Sequence, residues 1–259
     1  MSDRSVLGID IGGSGIKGAP VDLAVGEFAT ERLRIDTPKM STPKAVAKVV
    51  AEIVDHFKDE IADDGPIGVT IPAVVTHGVT RSAANIDKSW IDCEAEKIFE
   101  DELGRDIYLV NDADAAGVAE VHYGAAKDHP GLVLLTTLGT GIGSALVYRG
   151  VLIPNSELGH IEIDGDDAES NAAARVKDDL GLSYDEYVPR LQRYYEVVEQ
   201  LFWPDLIVVG GGVSKKAHKF LPKLKLNTKI VAAELRNQAG IVGAAWLARD
   251  KVDHPDVER

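Results

Sequence analysis

Cysteine is nearly absent. Cys93 is the one thiol in 259 residues, so neither an internal disulfide nor a cysteine-built zinc knuckle is available. Long apolar runs are missing as well: stretches such as Leu206–Val209 fall far short of the ~20 residues a membrane helix needs. The N-terminal MSDRSVLGID has no apolar segment of the secretory kind, which leads to the expectation of a cytoplasmic protein. Positive charge is in deficit, with 28 Lys and Arg against 42 Asp and Glu and a net charge of −14. That balance argues against general binding to nucleic acid or to an anionic membrane surface. What remains, 45% hydrophobic and 27% charged residues, is the composition of a globular protein long enough for one large domain or two lobes.

The charge is unevenly spread. Between Lys215 and Arg236 stand seven basic residues and a single acid, Glu234. This is either a solvated helix face or a local track for an anion that the rest of the chain would repel.

Glycine is plentiful, and its placement repeats. Ser5–Ile11 reads as an apolar strand leading into DIGGSGIKGA, which contains G-x-G-x-x-G at Gly13, Gly15 and Gly18 with Asp36 downstream. A dinucleotide site needs a helix directly after that turn. Here Ile16–Leu23 and Phe28–Ile35 read instead as strands, so the opening segment is expected to be an antiparallel meander. Next comes a helix with Thr42 as N-cap, Pro43 at its first position and Val46, Val49, Val50, Ile53, Val54 and Phe57 on one face. Pro66–Ile71 and Ile107–Val110 read as strands, Ile91–Leu103 and Asp112–Tyr123 as helices. The second half restarts the pattern: a strand at Leu132–Thr137 leads into GTGIGSALVY, which echoes GSGIKGAPVD and indicates an internal duplication. Ser183 and Glu186 form a capping box for a helix to about Phe202 that Pro189 is expected to kink. A strand at Asp205–Val209 and a helix from Ala239 close the chain. Alternating strands and helices predict two related α/β lobes.

Several groups carry potential chemistry. Glycines tolerate positive φ and let successive N–H groups form an anion-binding nest. The set Gly12, Gly13, Ser14, Gly15 and Lys17, and the set Thr137, Gly139, Thr140 and Gly141, are therefore candidate phosphate contacts, although either loop alone reads equally as a tight turn. Asp10, ahead of the first loop, suits a Mg²⁺ ion or another divalent cation held through water, or equally a turn cap. Asn111-Asp112-Ala113-Asp114 ends a strand and opens a helix, where α/β folds place catalytic groups. Asp112 or Asp114 can act as a general base, the other capping the helix. Glu157 and His160 suit recognition of sugar hydroxyls; no further metal ligands are evident around His160. Asn85, with Trp90 nearby, fits the same task.

Taken in order, DIGGSGIKGA, VNDADAAGVAE, TLGTGIGSAL, ELGHIEIDG and IVVGGGVSKK resemble the ROK family, repressors and sugar kinases of the actin/hexokinase fold. SAANIDKSW, ELGHIEIDGDDAE and GGGVSKK resemble its polyphosphate-dependent glucokinase branch. The resemblance implies an α/β chain of two actin-like (ribonuclease H-like) lobes with a cleft between them. The expected division is 1–110 and 111–259, with the closing helix near 239–259 able to pack on the first lobe. It implies Asp112 as base toward the 6-hydroxyl of glucose, with Asn85, Asn111, Glu157, His160 and Glu169 binding the sugar. Gly12–Gly15 and Thr137–Gly141 would contact the transferred phosphate, and Gly211, Gly212, Lys215 and Lys216 the donor. Inorganic polyphosphate is the expected donor, ATP the alternative. Glucose, with mannose as a further candidate, is the acceptor, and a homodimer is the family's expectation. The cysteine-rich zinc motif common after E-x-G-H is absent, so no zinc is expected and the loop 164–174 must be held in another way.

Overall fold

The computed structural model describes residues 5–83 and 86–254. The first part of the chain forms β1 (Val6–Ile11), β2 (Ile16–Asp22), β3 (Glu27–Phe28), β4 (Leu33–Ile35), α1 (Pro43–His56) and β5 (Ile67–Ile71). A small hairpin of β6 (Val75–Thr76) and β7 (Val79–Thr80) follows, then α2 (Ala95–Leu103), β8 (Tyr108–Asn111) and α3 (Asp112–Tyr123). The second part forms β9 (Leu132–Leu138), β10 (Ile142–Tyr148), β11 (Val151–Ile153), β12 (Glu162–Ile163), β13 (Asp166–Asp167), α4 (Ala168–Ala172) and α5 (Ala174–Asp179). It continues with α6 (Tyr184–Phe202), β14 (Leu206–Gly210) and β15 (Lys229–Ala232), and α7 (Ala239–Asp253) ends the described chain.

The chain divides into two compact units. The first runs to Ala119 and takes up the chain again from Gln238; the second is Glu120–Asn237. Relative to a division at residue 110, the start of α3 and the whole of α7 belong with the first unit. The reason is local packing: a β-carbon at Gly243 of α7 would lie 1.8 Å from the carbonyl oxygen of Ala115 in α3. Bare backbone is what lets these helices approach.

In the first unit the sheet order is β3-β2-β1-β5-β8, with β4 also on β2. β1 and β2 are antiparallel, while β1, β5 and β8 run parallel. The meander is present, but the single strand expected over Phe28–Ile35 is split into β3 and β4. Alternation assigns the two faces of this sheet. Ile9 and Gly18 face α1, where a β-carbon on Gly18 would meet Ile53 at 2.5 Å. Gly8 and Gly68 face α7, where added β-carbons would lie 2.0 Å from the carbonyl oxygens of Ile241 and Ala244. The core between α1 and the sheet is aliphatic, built from Ile9, Val50, Ile53, Ile67 and Val69. Thr42 stands at the N-cap of α1 with Pro43 next, and no side-chain cap bond is made.

The second unit repeats the order as β11-β10-β9-β14-β15, again two antiparallel pairings followed by two parallel ones. β2 and β10 even share one burial sequence along their seven residues, as a duplication requires. α6 begins with the capping box, Ser183 and Glu186 exchanging side-chain and backbone bonds, and is continuous through Pro189 to Phe202. Its buried face carries Tyr187, Leu191, Tyr194, Tyr195 and Val198. No described helix is long and apolar enough to cross a membrane.

Candidate active site

In the first unit the candidate groups gather at the C-terminal ends of the parallel strands. The sheet register pairs Asp10 with Lys17 across β1–β2 and with Thr70 across β1–β5. Lys17 Nζ donates to Asp10 Oδ2 at 3.3 Å, and Thr70 Oγ1 donates to Asp10 Oδ1 at 3.0 Å. The Asp10 carboxylate also faces Gly240 in the first turn of α7, where a β-carbon would stand 3.3 Å from Oδ1. Hard oxygen donors of this kind, a carboxylate and a neighbouring hydroxyl, fit a water-coordinated Mg²⁺ ion.

The first glycine loop is closed by Gly12 N–H donating to the Gly15 carbonyl, and Thr37 Oγ1 donates to the Gly12 carbonyl. Gly12, Gly13, Gly15, Gly139 and Gly141 all lie outside the positive-φ set, so the nest expected from left-handed glycines is not how either loop is built. The glycines serve by lacking a side chain. A β-carbon on Gly15 would collide with the Arg34 guanidinium at 2.7 Å, whereas nothing lies within 4 Å of one on Gly13. Arg34 escaped the sequence reading. It is brought in by β4, whose register sets it opposite Lys17, and its Nη2 donates to the Ser14 carbonyl at 2.8 Å. Its Nη1 pairs with Asp36, the residue that a dinucleotide site would have aimed at a ribose.

Asn111 caps α3, with Asp112 Oδ1 sharing the Ala113 N–H at 2.9 Å. Asn111 Oδ1 accepts from the N–H groups of Ala113 and Asp114, and its Nδ2 donates to the Ala73 carbonyl. This leaves one amide N–H of the buried Asn111 for a ligand. Asp112 is only partly buried, at the mouth of the helix, while Asp114 is buried. The accessible carboxylate of the pair is therefore Asp112. Trp90 is a core residue, fully buried with its indole N–H donating to the Ser41 carbonyl. Asn85 lies outside the described residues.

In the second unit the turn Leu158–His160 lies against the start of β10. A β-carbon on Gly159 would stand 2.2 Å from the Ile142 carbonyl oxygen, and Leu158 N–H donates to Ser144 Oγ. That fixes Glu157 and His160 on either side of a backbone contact. His160 Nδ1 lies 3.0 Å from Asp167 Oδ2 and its Nε2 lies 3.9 Å from Glu157 Oε2. The bond to Asp167 raises the His160 pKa, and the carboxylates of Glu169 and Glu157 add to the shift. Burial raises the Glu157 pKa, partly offset by His160. Glu169 Oε2 accepts from Ile142 N–H at 3.0 Å and would lie 2.2 Å from a β-carbon on Gly141. The second glycine loop is thus braced by a carboxylate where the first is braced by a guanidinium. One ligand atom from each of His160, Asp167 and Glu169 lies within 4.8 Å of the other two, close enough for a shared cation. No local pattern announces it, because Asp167 arrives through the β12–β13 hairpin.

The loop that lacks a zinc knuckle is held by other means. Arg193 clamps Asp164 with two bonds at 2.8 and 2.7 Å, Asp167 caps α4, and Tyr187 Oη donates to the Ala172 carbonyl.

Thr137 is in register with both Gly143 and Gly210. Gly211, with φ of 79°, brings its α-carbon against Leu138, so that a β-carbon would lie 2.3 Å from the Leu138 carbonyl oxygen. Gly212, Lys215 and Lys216 join Gly139 and Thr140 around a cavity of about 610 Å³. The basic stretch is therefore no α-helical face; Gly212–Lys219 is a 3-10 segment. A larger cavity of about 840 Å³ in the first unit is lined by Ile67, Tyr108 and Arg249. It opens at the opposite ends of β5 and β8 from Thr70 and Asn111, and no candidate residue lines it.

A duplicated α/β unit whose two sheets share one strand order, each opening on a glycine loop, has the architecture of the hexokinase-type sugar kinases. Residues 6–176 match the ROK family, and the chain belongs to that family. It is 50% identical to the polyphosphate glucokinase of Mycobacterium tuberculosis over 98% of this chain and 94% of that protein. The polyphosphate glucokinase of Mycobacterium leprae is 49% identical over 96% of this chain and 76% of its own length. Among solved structures, the inorganic polyphosphate/ATP-glucomannokinase of Arthrobacter sp. strain KM matches with a TM-score of 0.91 and 51% identity, over 96% of this chain and all of that one.

Proposed function

We propose that this protein transfers the terminal phosphoryl group of inorganic polyphosphate to the 6-hydroxyl of glucose, with ATP as an alternative donor. The glucose oxygen attacks the terminal phosphorus and the adjoining P–O–P bond breaks. Glucose 6-phosphate forms, and the donor leaves one phosphate shorter. Asp112 is the base that accepts the hydroxyl proton. The observation that carries this role is its position: a partly exposed carboxylate at the first turn of α3, just beyond the end of β8. A partly exposed carboxylate at a strand end is placed to receive a proton from a substrate hydroxyl.

On the first unit, the remaining Asn111 N–H and Asn85 are the proposed sugar contacts, and Ser14, Lys17 and Gly12–Gly15 the phosphate contacts. On the second unit, Glu157, His160 and Glu169 are the proposed hydroxyl ligands. Thr137, Gly139, Thr140 and Gly141 serve the phosphoryl group, and Gly211, Gly212, Lys215 and Lys216 the donor. Asp10 and Thr70 would hold a Mg²⁺ ion, which supplies positive charge to the transferring group. Catalysis is then chiefly positioning and electrostatic stabilisation.

A coupled assay with nucleotide-free polyphosphate tests the donor, and absence of glucose 6-phosphate without ATP would reject it. Asp112→Asn tests the base. A loss of about 10²–10⁴-fold in kcat with glucose binding retained is expected; unaltered turnover would leave a sugar-binding protein whose chemistry lies elsewhere.

A further inference from the structure

The cavity beside the second glycine loop contains two cations that the basic stretch does not supply. Arg175 and Lys177 on α5 line it together with Lys215 and Lys216. In the sequence they sit in RVKDD, an acidic neighbourhood that gives no hint of a basic surface. The fold brings them in because the N–H of Arg175 donates to the Gly139 carbonyl at 3.0 Å, which fastens the start of α5 to the glycine loop.

The same cavity has one aromatic wall, Tyr184. Its ring is stacked on Phe220 with centroids 5.8 Å apart and planes 6° from parallel. Lys177 Nζ lies 4.9 Å from its centroid and Lys219 Nζ 5.7 Å. A flat base such as adenine needs an open aromatic or apolar face, and this ring is already engaged by another ring and by ammonium groups. Two acids also line the cavity, each paired with one of the cations: Lys177 with Asp178 at 3.1 Å and Arg175 with Asp179 at 4.0 Å. Both acids are exposed, Arg175 with them, while Lys177 is half-buried; pairs open to water on at least one side are weak. A donor with many closely spaced negative charges displaces such carboxylates far more readily than a single charge would.

We propose that Arg175, Lys177, Lys215 and Lys216 form a track that holds successive phosphates of a polyphosphate chain behind its transferring end, with the Tyr184–Phe220 stack positioning Lys177 within it. The track deepens the donor reading and rests on it. It favours long chains, because only they reach all four cations, and it is sensitive to salt.

The test compares kinetics with long-chain polyphosphate, tripolyphosphate and ATP across a salt series. Lys177→Gln and Arg175→Gln are expected to raise KM for the long chain by about ten-fold. Each is also expected to lower the slope of log(kcat/KM) against log salt by about 0.7, the order found per phosphate contact on single strands. The shorter donors should change by about two-fold or less, on the same count of lost contacts. Tyr184→Leu should raise the long-chain KM while kcat holds, and Tyr184→Phe should restore it. Lys177→Arg, which keeps the charge, guards against a folding defect and should remain close to wild type. Equal losses with all three donors, or an unchanged salt slope in the Gln variants, would overturn the track while leaving polyphosphate as donor. No product from polyphosphate in the wild type would instead overturn the donor reading itself.

Discussion

The two units set one strand order to different packing chemistry. In the first, α7 lies directly on the sheet through glycine: Gly8 and Gly68 meet the carbonyls of Ile241 and Ala244, and Gly243 meets that of Ala115. In the second, α6 presents Tyr187, Tyr194 and Tyr195, with the Tyr195 hydroxyl bonded to Thr136 of β9 at 2.7 Å. The glycine loops differ in the same spirit. The first is flanked by Arg34 and Lys17, the second by Glu169. A duplicated backbone therefore tolerates opposite side-chain solutions, provided that each preserves a strand, a loop and a return strand. The cost of altering a residue should then depend on which solution it belongs to.

The largest effect is expected where backbone meets backbone. Gly68→Ala puts a methyl 2.0 Å from the Ala244 carbonyl, and neither partner can swing aside. A loss of about 3 kcal/mol or more is expected, at or beyond the upper range for overpacking. Gly13→Ala, with nothing within 4 Å, should cost less than about 1 kcal/mol. Urea unfolding of both variants gives the comparison, and similar midpoints would remove the distinction drawn for α7.

Next come the two loops. Gly141→Ala and Gly15→Ala each drive a methyl into the end of a flexible charged side chain, Glu169 in one and Arg34 in the other. Both should fold. Gly141→Ala should raise glucose KM by about ten-fold besides weakening the donor, and Gly15→Ala should act on the donor alone, effects of the size expected when a positioned group shifts by about an ångström. If Gly141→Ala left glucose KM unchanged, or Gly15→Ala raised it, the assignment of Glu169 to sugar and of the Gly12–Gly15 loop to phosphate would not stand.

Much of this contrast was legible beforehand, and the reasons differ by element. The strand-loop-strand repeat was visible because both halves carry the same glycine pattern after an apolar strand. The missing dinucleotide helix was visible because Pro20 and the alternation in IKGAPVDL oppose one. The burial of Trp90 was not, since a lone aromatic in a polar stretch gives no periodicity. Arg34, Asp167 and Arg175 were invisible for a shared reason: each reaches its place by strand register or by a single backbone bond across a loop, which no local pattern encodes. The role of the loop glycines was misjudged for a related reason. Glycine signals either positive φ or lack of room, and only the neighbouring chain says which.

Titration separates the units further. His160 stands by the second loop, and its folded pKa is raised by the bond to Asp167. Its contribution to stability is complete below the unfolded value of about 6.5 and is lost as pH rises through the higher folded value. Both side chains are about half exposed, so the effect is small. Following the His160 imidazole by NMR should give a midpoint above the usual histidine range, and Asp167→Asn should return it toward that range. A midpoint that ignores Asp167→Asn would mean that the other carboxylates, not this bond, set the shift.

Within α6, single-atom changes set neighbouring tyrosines against each other. Tyr195 and Thr136 are both buried and satisfy one another. Tyr195→Phe leaves the Thr136 hydroxyl without its partner and should cost about 1–2 kcal/mol. Tyr194 is as deeply buried, but its hydroxyl has no hydrogen-bond partner. Desolvating that hydroxyl on folding opposes stability, so Tyr194→Phe should be neutral or stabilising by up to about 1 kcal/mol. The aromatic volume is unchanged in both, so thermal unfolding of the two variants isolates one oxygen atom at a time. Opposite signs are expected. Equal losses would mean that the Tyr194 hydroxyl is satisfied as the Tyr195 hydroxyl is, whereas no loss in either variant would mean that the tyrosine face of α6 is held by ring packing alone.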